Sequence, residues 1–233
     1  MNRCNRHRLA ASLLFLLAGS PALADETVRY GELQGVIDAI NDPDPLMRLA
    51  QLEEILKKGD ATEVQLAIRT AFSVDDPNVR SLALRAHFAG FRTFVVTAEL
   101  PESVKAILAG NDQSAIKSIR SSYQYSFFQD IGYQFSFQTE YPSSSELEFK
   151  TRFLNDSRPQ TEFSGSGNIR GGMVTIVTPA YYRANPRSCS LELTRYEGFT
   201  LKGTGSCNID GGFLFPVTLH LFEENKPPLN PEE

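Results

Sequence analysis

Histidine and cysteine are scarce in this sequence. Its 233 residues include three of each, and His7 and Cys4 fall in the first 24 positions. The remainder holds His87, His220, Cys189 and Cys207, with no close spacing among them. A metal centre needs convergent His, Cys or carboxylate ligands, so no metal and no other cofactor is expected. Long apolar runs are missing as well. After the opening segment no stretch reaches the roughly 18 apolar residues that a spanning helix requires. Basic charge is in deficit: 23 Lys and Arg stand against 28 Asp and Glu. The deficit argues against a general binder of nucleic acid or of anionic membranes.

The opening segment is an address rather than part of a fold. Arg3, Arg6 and Arg8 precede an apolar stretch from Leu9 to Ala18, too short to span a bilayer. Ser20 and Pro21 break it, and Ala22-Leu23-Ala24 supplies the small residues of a cleavage site. The expectation is an exported protein, periplasmic or secreted, whose mature chain begins at Asp25. Cys4 lies before the apolar stretch, so no lipid anchor is expected. The mature chain then has 20 basic and 28 acidic side chains, formally −8. Its two cysteines, Cys189 and Cys207, fit one disulfide in an oxidising compartment. Closing a loop of that size stabilises by roughly 3 kcal/mol in the chain-entropy description.

The spacing of apolar residues changes near residue 125. From Tyr30 to about Tyr123 it is helical. Leu33, Val36, Ile37 and Ile40 form one stripe. Asp44 with Pro45 starts a second helix carrying Leu49, Leu52, Ile55 and Leu56, and Gly59 ends it. Asp60 and Glu63 have capping-box spacing for a third, which buries Val64, Ala67, Ile68 and Ala71. Asp76 and Pro77 start a fourth around Val79, Leu82, Ala83 and Ala86. Shorter helices follow at Pro101–Ala109 and after Asp112. From about Tyr125 the period becomes two. Ile131, Tyr133, Phe135 and Phe137 alternate with polar residues, as do Leu147, Phe149, Thr151 and Phe153. Further strands are expected near 161–167, 173–178, 189–195, 199–207 and 213–222. About seven short strands suggest an antiparallel β-sandwich or small β-barrel. The expected organisation is α+β: a signal at 1–24, a helical domain at 25–124, an antiparallel β domain at 125–222 and a polar, disordered tail at 223–233.

The segment from Asp75 to Gly90, DDPNVRSLALRAHFAG, resembles the HEAT-like repeats of helical solenoids. Asp76, Pro77, Val79, Arg80, Ala83 and Ala86 occupy the positions of that pattern. NDPDPLMRLAQL sets Asp44, Pro45, Met47 and Arg48 in the same order, with Gln51 at the first small-residue position. Arg48 and Arg80 are 32 residues apart, within the range of such units. A weaker copy lies around Ile116 and Lys117. The resemblance implies stacked helix pairs that offer a surface to partners, with the last pair leaning on the β domain.

A second repeat lies in the β half. Gly165-Ser166-Gly167-Asn168-Ile169-Arg170-Gly171-Gly172 recurs as Gly205-Ser206-Cys207-Asn208-Ile209-Asp210-Gly211-Gly212. No Lys-Ser/Thr ending and no helix follow, so phosphate binding does not fit and two equivalent strand–turn–strand units do. Catalytic patterns are equally thin. His87 sits in a predicted helix, and His220 is offset from the apolar set of the last strand and faces out. Ser143–Ser145 offers His220 a serine but no nucleophile elbow. Glu146 and Glu148 share a strand face as glycosidase carboxylates must, yet alternating charge is also what a wet face looks like. Asn155-Asp156-Ser157 fits a glycosylation acceptor.

One loop stands apart. Pro179 to Arg187 carries Tyr181, Tyr182, Arg183 and Arg187 between two strands, and Tyr and Arg dominate recognition hot spots. These four residues are the expected partner contacts. No residue is assigned to catalysis. The function expected is a non-enzymatic, exported binding or adaptor protein with a protein partner, inhibitor and immunity types included. The alternatives are a β-barrel holding a small apolar ligand or glycan, and a hydrolase.

Overall fold

A computed structural model describes residues 21–90, 93–140, 147–154, 162–182, 185–208 and 213–222. Four helices open the chain: α1 (Pro21–Ile40), α2 (Pro45–Lys58), α3 (Ala61–Ser73) and α4 (Pro77–Gly90). The starts of α2, α3 and α4 are those the capping signals predict. The Asp44 carboxylate accepts from the backbone N–H of Leu46 and Met47, with Pro45 in the first turn. Asp60 and Glu63 close a complete capping box on α3. Asp76 accepts from the N–H of Asn78 and Val79 at the start of α4. Arg48 of α2 reaches the same carboxylate at 3.0 Å, tying α2 to the start of α4. Burial alone would raise the Asp76 pKa. Arg48 and the two N–H donors outweigh it and hold the carboxyl below its ordinary value.

The strands form a closed antiparallel barrel in sequence order: β1 (Thr93–Ala98), β2 (Gln134–Glu140), β3 (Glu148–Phe153), β4 (Gly165–Arg170), β5 (Met173–Tyr182), β6 (Asn185–Glu197), β7 (Thr200–Cys207) and β8 (Phe215–His220). Closure falls to β1, which pairs with β2 on one side and β8 on the other. Two expectations need correction here. The stretch read as helical up to Tyr123 contains β1, so the barrel draws one strand from before residue 125. The period-two reading from Ile131 began too early, because α7 (Tyr123–Ile131) is a helix that stops at Gly132 in the left-handed region. With α5 (Glu102–Ala109) and α6 (Gln113–Ser121), α7 fills the connection from β1 to β2. The barrel form holds and the sandwich form does not. Among the described residues no helix is long and apolar enough to cross a membrane.

Alternation fills the interior with Phe94, Phe135, Phe137, Phe149, Phe153 and Phe215, all buried. Helices plug both mouths. At the end where β1 begins, Phe88 of α4 stacks on Phe94 at 4.2 Å between centroids and leans on Phe149. At the other end Phe128 of α7 meets Phe215 edge-on at 4.6 Å, and Phe127 lies beside Phe153. The buried Gln124 side chain fastens that plug by bonding both the N–H and the carbonyl of Phe213. Cys189 and Cys207 face each other across β6 and β7 with sulfur atoms 2.04 Å apart.

The glycine-rich repeat has two structural uses. In its first copy Gly171 and Gly172 take φ of 57° and 76° and make the tight β4–β5 turn. Upstream, Gly167 leaves room for a ring: a Cβ there would lie 2.1 Å from Phe149 Cζ. Gly205 in the second copy leaves room for Phe215 in the same way. Residues 209–212 of that copy lie outside the described residues. Gly167→Ala is expected to cost about 1–3 kcal/mol through overpacking, read as a lower urea midpoint. Phe149→Leu in the same chain should recover part of that loss. Costs that simply add would show that the ring and the glycine do not compete for space.

Candidate functional site

The helical layer docks on the barrel end where β1 begins, and the β6–β7 hairpin rises beside it. Ser81 of α4 accepts from the Gly172 N–H at 2.6 Å. The Tyr196 hydroxyl donates to the Gly172 carbonyl at 2.8 Å. His87 Nε2 bonds the carbonyl of Leu221, and its ring packs against Phe72, Phe94 and Phe222. Burial pushes the His87 pKa down to about 4, opposed by the Leu221 carbonyl, with Arg69 repelling the charged form. His87 is therefore neutral at pH 7 and serves the docking contact.

Between these layers runs an open groove of about 630 Å³. One wall is α3. Its buried face carries Ala67, Ile68, Ala71 and Phe72, while Leu66, Arg69, Thr70 and Ser73 line the groove at helical spacing. Ile37 and Asn41, at the end of α1, extend that wall. The opposite wall is the β6–β7 hairpin, with Tyr196, Gly198 and Phe199. The turn from Glu197 to Thr200 places Gly198 at φ 57° and leaves Phe199 44% exposed.

Two arginines stand over these rings. The Arg69 guanidinium lies 4.5 Å from the Phe222 centroid and 5.7 Å from that of Phe199. Arg80 lies 4.7 Å above Tyr196. Arg80 also meets Asp75 at 3.2 Å, but Asp75 is 97% exposed, so that pair is worth little. Arg69 has no carboxylate partner among the described residues. Burial pushes the Tyr196 hydroxyl well up, against the pull of Arg80, so it remains a donor.

Among the described residues the groove lining contains no Asp, Glu, His or Cys. Its hydroxyls are committed to helix backbone: Thr70 donates to the Leu66 carbonyl and Ser73 to that of Thr70. Among the described residues that line the groove no general base stands beside a nucleophile. Among the described residues no three His, Cys, Asp or Glu side chains are grouped to hold a metal.

The residues singled out in the sequence lie elsewhere. Tyr181 and Tyr182 sit at the end of β5 at the opposite mouth of the barrel, paired with Pro186 and Asn185. The β6–β7 ladder ends at Cys189, and beyond it β5 and β6 continue as a two-stranded ribbon. The side chains of Tyr181 and Tyr182, and all of Arg183, lie outside the described residues. Arg187 is half-buried, its guanidinium 5.7 Å from the Tyr123 ring. Its Nε is buried with no hydrogen-bond partner. His220 faces outward, its Nε2 3.1 Å from Thr97 Oγ1. Ser143–Ser145, Glu146 and Asn155-Asp156-Ser157 lie outside the described residues, and Glu148 is exposed.

Sequence reasoning missed Arg69, Tyr196 and Phe199. In the chain each reads as an ordinary surface position. Only the approach of residue 69 to residues 199 and 222 makes a site of them. Comparison with protein-family models, with curated proteins and with solved structures finds nothing that matches this chain.

Proposed function

We propose that the protein is an exported, non-enzymatic binding protein that takes a protein partner in the groove between α3 and the β6–β7 hairpin. One observation carries the reading: the groove joins Arg69, Arg80, Tyr196 and Phe199 on an open surface that has no acid–base pair. Arginine and aromatic residues with an exposed rim are the usual composition of a protein hot spot. The filled barrel supports this reading over a ligand held inside, because phenylalanine rings occupy the interior and both mouths are plugged. We read α2–α4 as HEAT-like, with one unit, α2 and α3, beginning at Pro45 and a second beginning at Pro77 that stops at α4 before β1. The shared Asp-Pro starts and the Arg48–Asp76 link support it. Arg80, the second-unit counterpart of Arg48, turns to Tyr196, so the barrel takes the place of a further repeat. The β5–β6 ribbon with Tyr181, Tyr182, Arg183 and Arg187 is the second candidate contact.

The test starts from the exported fraction. Tagged protein whose mature mass begins at Asp25 should bring down a stoichiometric protein partner. Phe199→Ala, at an exposed position, should weaken that complex at least tenfold while the melting temperature barely moves. A complex that ignores Phe199→Ala and is lost in Arg187→Ala would move the site to the ribbon. Retention of a small molecule with no protein would overturn the reading.

A further inference from the structure

The groove brings two arginines together in a lining that, among the described residues, holds no carboxylate. Several other bases are answered locally: Arg29 by Glu32, Asp60 and Glu63, Arg48 by Asp76, Lys57 by Glu53 and Lys105 by Glu99 and Glu102. In the groove two arginines line the walls; Arg80 meets the exposed Asp75, and among the described residues Arg69 has no acidic partner. We infer that the partner presents an acidic segment with one apolar side chain, its carboxylates meeting Arg69 and Arg80 and its apolar group resting against Leu66 and Phe199. The inference rests on the groove reading above and gives the partner a chemistry.

Three features support it. The Arg69 guanidinium is held over Phe222, and stacking there fixes the cation before a ligand arrives. A stacked guanidinium keeps its edge donors, which match a carboxylate in two parallel bonds. The Arg80 guanidinium is stacked likewise on Tyr196, and the carboxylate it already meets, Asp75, is almost fully exposed and readily exchanged for another. The lining also offers apolar side chains, Ile37, Leu66 and Phe199. A segment with alternating acidic and apolar side chains satisfies both surfaces at once.

The test uses the intact mature protein and two fluorescent 12-residue peptides. One bears glutamates around a central leucine and phenylalanine. The other has lysines at the glutamate positions. The acidic peptide should bind at least tenfold tighter at low salt and lose most of that advantage in 0.5 M NaCl. Arg69→Glu should reverse the preference, and Arg69→Lys should retain a reduced form of it. Equal binding of both peptides, or indifference to Arg69→Glu, would overturn the inference. Tighter binding after removal of residues 223–233, themselves rich in glutamate, would assign the groove to this chain's own tail and also overturn it. The partner captured from the exported fraction separates the two claims. If its complex responds to Phe199→Ala but not to Arg69→Glu or salt, the acidic chemistry fails and the groove stands. If it ignores Phe199→Ala, the groove itself fails.

Discussion

Phe88→Ala is expected to remove about 3–5 kcal/mol of stability, the range for truncating a fully buried phenylalanine. Phe88 is 1% exposed. Its ring is a plug, stacked on Phe94 and leaning on Phe149 at the mouth of the barrel. Phe94 in turn stacks on Phe137, so the plug continues the row of rings inside. Little can flow into the space left behind. Backbone around the mouth is already fixed by Ser81 to Gly172, Tyr196 to Gly172 and His87 to Leu221. For a chain of this length the loss should appear as a fall of on the order of 10 °C in melting temperature. Phe199→Ala provides the contrast, since that ring already meets water. A loss below about 1 kcal/mol in Phe88→Ala would mean that the helical layer and the barrel are not joined through this ring.

The parts of the fold legible in the sequence are those with a local cause. Asp44, Asp60 and Asp76 each place a side-chain acceptor before a first turn, and each starts a helix. The strands β2 and β3 follow from alternation, since each buries every second residue in the barrel. What escaped has a cause as well. Tyr125, Phe127 and Phe128 favour strands by type, yet they belong to α7. The cues were there: Ser122 caps the start, Gly132 stops the end, and Gln124, Phe127, Phe128 and Ile131 share one helical face. β1 is short and stands among helices, although Phe94, Val96 and Ala98 alternate inward. That it closes the barrel against β8 is a matter of topology, which no window of sequence contains. The groove was hidden for the same reason. Arg69, Tyr196 and Phe199 become a site only when α3 and the β6–β7 hairpin meet. Arg187 shows the converse. Its type drew attention, and it packs beside Tyr123 where α7 begins.

Acid should loosen the same docking contact through His87. Its pKa is about 4 in the folded protein against an ordinary 6.5. Between these values the unfolded chain takes up a proton that the folded chain refuses. Stability therefore rises with pH across this window. The neutral ring's contribution is complete above about pH 6.5 and is lost as pH falls towards 4. The 2.5-unit difference corresponds to about 3 kcal/mol at its limit, with about 2 kcal/mol gone by pH 5. The cause is local. The ring is buried among Phe72, Phe94 and Phe222, and Arg69 repels its charge. Asp76, whose pKa is held below its ordinary 3.8, loses its contribution in a lower window, so the two are separable. His87→Gln keeps an N–H donor for the Leu221 carbonyl but does not titrate. Urea unfolding at pH 7.5 and pH 5 should show a loss of about 2 kcal/mol in the wild type beyond that in His87→Gln. The variant should start lower at pH 7.5, because its amide fits the aromatic pocket less well. Parallel pH profiles would mean that the buried imidazole is not what acid reaches first.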